Sequence, residues 1–225
     1  METPIILDPK QTADSAVIWL HGLGASKEDF RPVAEILQSR ILPATRFILP
    51  QAPVRPVTLN NGFPMPSWYD IIALTTPREI KQSELDESSQ YVISLIEAEV
   101  AKGISRDRII LAGFSQGGAV VFNTAFIAYD KVIGGVIALS TYSATFDESL
   151  NISDEKKAIP TLHLHGSMDD VVNIELGKVA EEFLRTRGVK TTWYDYPMHH
   201  EVINEELQDI ANWLIDLLEP NHSQA

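Results

Sequence analysis

Arg108-Ile109-Ile110-Leu111-Ala112-Gly113-Phe114-Ser115-Gln116-Gly117-Gly118 is the stretch on which the fold turns. Arg108–Phe114 is a largely apolar run of strand length, as expected for a strand covered on both faces. It leads straight into a G-x-S-x-G, Gly113 to Gly117, and the residues Gly118–Ala128 then read as a helix. A strand, a G-x-S-x-G and a helix in immediate succession are the setting of a nucleophile elbow. The serine of such a turn sits on sharply bent backbone, so the residues two positions to either side must lack bulk. Gly113 and Gly117 meet that need. The turn lifts the Ser115 hydroxyl off the sheet at a helix N-terminus, where partial positive charge favours a developing oxyanion.

Outward from the elbow, short apolar runs alternate with amphipathic stretches. The other strand candidates are Ala16–His21, Arg46–Leu49, Gly135–Leu139, Pro160–His165 and Thr191–Tyr196. Helical spacing links Phe30, Val33, Ala34 and Leu37 behind a cap at Ser26, with Asp29 three residues on. It also links Leu85, Ser88, Val92, Leu95, Ile96 and Glu99, a helix stopped at Gly103. Leu176, Ala180, Phe183 and Leu184 form a third stripe, ending at Gly188. Ile203, Leu207, Ile210, Leu214 and Leu217 form the last, with Pro220 after it. Alternation of this kind predicts a mostly parallel central sheet with helices on both faces. Pro50–Asp70 breaks the rhythm with five prolines and the run Asn60-Asn61-Gly62, and reads as a long ordered loop. A chain of 225 residues without linker or internal repeat is expected to form a single domain over 1–225, with no room for a large lid.

Charge narrows the partners. With 18 basic and 31 acidic residues the net charge is −13, and such a field repels nucleic acid and anionic membrane surfaces. The longest apolar runs fall far short of the ~20 residues of a membrane span, so no stable membrane insertion is expected. There is no cysteine, which excludes disulfides, a cysteine nucleophile and thiolate metal sites, and fits a reducing cytoplasm. Met1–Lys10 lacks the features of a secretory signal.

Three further segments carry candidate chemistry. His21-Gly22-Leu23-Gly24 follows the first strand, and its backbone can aim an N–H at the reaction centre. The N–H groups of Leu23 and Gln116 are the natural pair for an oxyanion hole. His165-Gly166-Ser167-Met168-Asp169-Asp170 and Pro197-Met198-His199-His200 each follow a strand, where open α/β sheets build their sites. The chain order is then Ser, Asp, His, as in α/β hydrolases. A serine hydroxyl becomes a good nucleophile when a histidine, with an ordinary pKa near ~6.5, takes its proton. A carboxylate holds that imidazole in the right tautomer. Spacing alone leaves Asp169 and Asp170, and His199 and His200, as alternatives.

Five blocks in order resemble the phospholipase/carboxylesterase family, which includes acyl-protein thioesterases and bacterial carboxylesterases, and the bacterial branch most of all. They are Ile18 to Ala25, Ser67-Trp68-Tyr69-Asp70-Ile71, Gly113 to Gly118, Leu164-His165-Gly166 with Asp169, and Pro197-Met198 with His200. The resemblance implies an α/β-hydrolase fold and a catalytic triad of Ser115, Asp169 and His200, with His199 a minor departure from the family pattern. It implies acyl esters or thioesters as substrates, small-molecule, lipid or acylated protein, with lysophospholipids as a variant, and no cofactor. It further implies Trp68 in the acyl groove, with Leu23, Met65 and Val172 as weaker candidates, and it admits a homodimer.

Rival readings are weaker. His163 and His165 share a strand face, but no ligand-spaced His/Glu motif accompanies them, so they and His21 read as satisfied framework residues rather than metal ligands. A non-catalytic ligand receptor on this fold should have lost a triad member or an oxyanion glycine. A lactonase relative would carry cysteine at the elbow, and peptidase relatives carry a larger added domain.

Overall fold

The computed structural model describes residues 2–40, 42, 44–75 and 77–219. The chain begins with β1 (Ile5–Leu7), β2 (Ser15–Leu20), α1 (Arg31–Arg40) and β3 (Thr45–Leu49). Next come β4 (Val54–Val57), β5 (Phe63–Pro66), β6 (Ile71–Ala73), β7 (Glu79–Ile80) and α2 (Gln82–Ala101). The second half holds β8 (Ile109–Phe114), α3 (Gln116–Asn123), β9 (Gly135–Leu139), α4 (Asp154–Lys157) and β10 (Thr161–Gly166). It ends with α5 (Ile174–Thr186), β11 (Thr191–Tyr196) and α6 (Asn204–Leu218). Pro220, read as the stop after the last helix, lies outside the described residues.

Seven strands form the central sheet in the order β1-β3-β2-β8-β9-β10-β11. Only β1 runs antiparallel, against β3; the other pairings are parallel. Each face buries its own core. Ala16, Ile18 and Leu20 of β2 pack with Leu85, Val92 and Ile96 of α2 and with Ala180 and Leu184 of α5. Val17 and Trp19 point the other way, to Ala34 and Leu37 of α1 and Ile210 and Leu214 of α6. Because both faces are covered, all six residues of β2 are buried, which is why its sequence shows no polar alternation. This is the mostly parallel sheet with helices on both faces that the strand–helix alternation predicts, and it agrees with the α/β-hydrolase fold that the family resemblance implies.

Two features depart from the sequence reading. β1 has three residues, too few for a periodic signal. Pro50–Asp70 is not a featureless loop: β4 and β5 pair as an antiparallel hairpin in which Pro56 stands opposite Pro64. Proline is tolerated there because a two-stranded ribbon is all edge and leaves donors unused. Asn61 takes a left-handed conformation at φ 53, and Gly62 N donates to Val57 O at 2.9 Å, so the Asn-Gly pair reverses the chain. No described helix is long and apolar enough to cross a membrane.

Candidate active site

The elbow is built from β8, α3 and the residue between them. Ser115 has φ 54 and ψ −120, a conformation non-glycine residues rarely adopt, and it persists only where the surroundings enforce it. They do so here. Ser115 N donates to Leu139 O at 2.9 Å, tying the turn to β9. Thr141 Oγ1 donates to Ser115 O at 2.6 Å. A Cβ on Gly113 would lie 2.4 Å from Gly117 O, and one on Gly117 would lie 2.6 Å from His21 O. Both separations are impossible, so the two glycines of the motif are required by the packing of β8 on α3 and of α3 on the end of β2.

The second half of the site comes from the ends of β10 and β11. Ser167 N donates to Tyr196 O at 2.8 Å and Met168 N to Met198 O at 3.1 Å, which holds the two following loops together. Gly166 permits this contact, since a Cβ there would meet the Met198 and His199 carbonyls at 2.4 Å. Asp169 is buried, and its Oδ1 accepts from Val171 N at 2.9 Å and Val172 N at 2.8 Å. Its Oδ2 lies 2.7 Å from His200 Nδ1. With that nitrogen facing a carboxylate, Nε2 is left free toward the cavity. The paired alternatives separate: Asp170 and His199 are exposed, whereas Asp169 and His200 are joined. No hydrogen bond joins Ser115 Oγ to His200, but both line one cavity of about 210 Å³.

Leu23 and Gln116 line the same cavity, and among the described residues neither backbone N–H has a hydrogen-bond partner. The Gln116 side chain does different work. Its Oε1 accepts from Trp68 N at 2.8 Å, and its Nε2 donates to Tyr69 O at 2.7 Å. The buried amide thus clamps the Ser67–Tyr69 turn onto the elbow.

That clamp decides where Trp68 goes. The residue is fully buried, its indole Nε1 donates to His21 O at 2.8 Å, and its carbonyl accepts from Ser88 Oγ at 2.5 Å. Trp68 therefore does not line the cavity, contrary to the expectation for an acyl groove. Met65 is also absent from the wall; it packs beside Gly24. Val172 and Leu23 are present. The sequence reading missed Leu59, Ile71, Leu74, Arg78, Tyr142 and Val171, which come from separate segments with no shared period.

His21, His163 and His165 are buried framework groups, and one of them is not fully satisfied. His21 Nε2 accepts from Ala52 N at 3.1 Å and His165 Nε2 lies 2.8 Å from Val172 O. Burial lowers both pKa values below the ordinary 6.5, against pulls from the Gly22 and Val172 carbonyls. His163 was expected to be satisfied, yet its Nε2 has no partner among the described residues. Burial, and then the neighbouring His165, push its pKa down to about 3, so it is neutral between Phe122 and Trp193.

A family model described as Phospholipase/Carboxylesterase matches residues 1–218. The chain belongs to the phospholipase/carboxylesterase family. Within that family, Acyl-protein thioesterase 1 of Cryptococcus neoformans is 38% identical over 234 residues, covering 94% of this chain and 96% of the relative. A probable carboxylesterase, SOBER1-like, of Arabidopsis thaliana is 34% identical, covering 95% of this chain and 82% of the relative. Among solved structures, SOBER1 of Arabidopsis thaliana superimposes with a TM-score of 0.84 at 32% identity, over 91% of this chain and 99% of that one. Acyl-protein thioesterase 2 of Zea mays does so with a TM-score of 0.85 at 27% identity, over 97% of this chain and all of that one (100%). These relatives are eukaryotic and lend no support to a bacterial branch. Membership of the phospholipase/carboxylesterase family makes this chain a serine-type hydrolase of carboxylic esters or thioesters.

Proposed function

We propose that Ser115, His200 and Asp169 are the catalytic triad of this hydrolase, with the N–H groups of Leu23 and Gln116 as its oxyanion hole. One observation carries the reading: His200, held through Nδ1 by Asp169 at 2.7 Å, shares a cavity wall with the strained Ser115. Serine–histidine hydrogen bonds are often long before substrate binds and tighten in the complex. Ser115 Oγ attacks the acyl carbon while His200 Nε2 takes its proton. The carbonyl oxygen, now an anion, accepts the two N–H groups. The tetrahedral intermediate collapses as His200 protonates the departing alcohol or thiol. Water, deprotonated by His200, then attacks the acyl-enzyme, releasing the acid and Ser115.

The cavity wall of Leu23, Ile71, Leu74, Val171 and Val172 is apolar, which suits the hydrocarbon part of an acyl group. The substrate class is acyl esters or thioesters, small-molecule, lipid or acylated protein, in line with the thioesterase and carboxylesterase names of the relatives. A cytoplasmic location, homodimer formation and a single domain over 1–225 belong to the same proposal. The test is labelling with a fluorophosphonate and mass mapping of the adduct, beside turnover of p-nitrophenyl esters. The expected adduct is on Ser115. A folded protein that hydrolyses esters but is labelled elsewhere, or not at all, refutes the triad.

A further inference from the structure

A second, mostly apolar cavity, of about 370 Å³, adjoins the reaction cavity; Phe146, Leu176, Val179, Ala180 and Phe183 form its apolar wall, and Asp147 and Glu148 also line it. Among the described residues, Arg78 and Tyr142 alone line both spaces. They form the partition, and they are held very differently. Tyr142 is buried, and its hydroxyl is 2.6 Å from the buried Tyr69 hydroxyl. Tyr69 is in turn bound to Gln116 through its carbonyl. Arg78 is half-buried, just ahead of the short strand β7. Its guanidinium lies over the Tyr142 ring, 4.1 Å from the centroid, and donates one long hydrogen bond, Nη2 to Val171 O at 3.4 Å. No carboxylate among the described residues pairs with it, although the chain carries 31 acidic residues.

We propose that Arg78 is the specificity-determining residue for acyl length: it closes the passage to the apolar chamber and swings aside for long straight acyl chains, whose distal carbons enter the chamber. The inference rests on the reading of the near cavity as the acyl site. A stacked arginine held by one weak hydrogen bond is easily displaced, because its long stem lets the cation stay in water as it moves. Tyr142, anchored through Tyr69, stays as the fixed wall. Short chains end before the partition and gain nothing from its opening. Each methylene that passes it leaves water for apolar surface, an advantage of about fourfold in binding.

The experiment is a series of straight-chain p-nitrophenyl esters, read as the ratio of kcat/KM for decanoate to that for butyrate. Arg78→Ala opens the partition permanently, and the ratio should rise about tenfold or more, the effect of roughly two newly favoured methylenes. Val179→Trp places bulk at the chamber rim on a position that is 64% exposed, so the core is untouched. It should lower the ratio in both the native and the Arg78→Ala backgrounds. A ratio within twofold of native in an Arg78→Ala protein that turns over butyrate overturns the gate. If Arg78→Ala turns over no ester, an unchanged ratio in Val179→Trp alone overturns it. Native protein that hydrolyses no ester in the series refutes the proposed function instead, so the two failures are distinct.

Discussion

The elbow at residues 113–118 and the proline-rich segment at 50–70 meet at the candidate site and are specified in opposite ways. In the elbow the positions are constrained by close neighbours in sequence and by the ends of the flanking strands, Gly117 by His21 O after β2 and Gly118 by the Thr141 side chain after β9, and it is the glycines these contacts demand that mark the motif. Gly113 faces Gly117, and Gly118 faces Thr141 so closely that a Cβ would lie 2.5 Å from it. In the proline-rich segment the contacts that matter come from far along the chain. Trp68 is held by His21, Ser88 and Gln116, which are 47, 20 and 48 residues away. The same segment leaves Val54 and Phe63 at 68% and 64% exposure on the hairpin, yet buries Trp68 and Tyr69 completely. A motif is readable when its constraint is local; a side chain's role is not readable when distant parts of the chain decide which way it turns.

The largest test of this contrast is at the elbow. If the proposed triad holds, Ser115→Ala should lower ester turnover by about 10⁶, the loss seen when a triad serine is removed, while thermal unfolding stays close to native. Ser115→Gly should be as inactive but more stable by roughly 1 kcal/mol, because glycine adopts the positive-φ conformation of φ 54, ψ −120 without a Cβ penalty. Substantial turnover by either variant would remove Ser115 from the chemistry.

Trp68→Ala comes next. Removing a fully buried indole should cost ~3–5 kcal/mol in urea unfolding and depress short and long esters alike. A shift in chain-length preference with native stability would instead return Trp68 to the acyl groove.

His21 joins the two regions, and its charge state offers a pH test. Its Nε2 accepts from Ala52 N–H, which requires the neutral ring, and burial lowers its pKa below 6.5. A histidine whose folded pKa is depressed contributes stability that is fully present above its unfolded value and lost as pH falls below it. Hydrogen exchange at the Ala52 amide should therefore quicken, relative to the sheet core, as pH drops from 7 through 5. Exchange that tracks only the intrinsic rate over that range contradicts a neutral acceptor.

The smallest effect is expected on the hairpin. Phe63→Ser should change unfolding free energy by no more than ~0.5 kcal/mol and leave ester kinetics alone, since the residue is 64% exposed and does not line the cavity. Leu59 between β4 and β5 already lines the cavity, so a larger loss of turnover would show that Phe63 contacts substrate as well.

Much of the architecture was legible in the sequence. The six strands read from apolar runs all stand in the central sheet, and the four amphipathic stripes all became helices. Apolar periodicity reports burial directly, so elements covered on one or two faces announce themselves. β1 and the β4–β5 hairpin did not, because three residues carry no period and prolines suppress the strand signal. At the site, the elbow was readable from its glycines, and the segment 21–24 from its own, as a turn that brings Leu23 to the cavity. The cavity wall was not: Ile71, Leu74, Arg78, Tyr142 and Val171 share a surface only after the loops fold together.

By itself, the sequence determined the sheet, the elbow and the order of serine, aspartate and histidine along the chain, because each follows from local backbone requirements or from a period set by burial. Spacing left Asp169 and Asp170 as alternatives; the family resemblance pointed to Asp169, and the tertiary structure sets its Oδ2 2.7 Å from His200 Nδ1. Only the tertiary structure decided that Trp68 supports the site from beneath instead of lining it, and that Arg78 stands between two cavities. Those outcomes depend on which distant groups satisfy a buried hydrogen bond. Burying a donor such as the Trp68 indole N–H without a partner costs about 1–3 kcal/mol, so the position of His21 O, and not the residue's own preference, sets its direction.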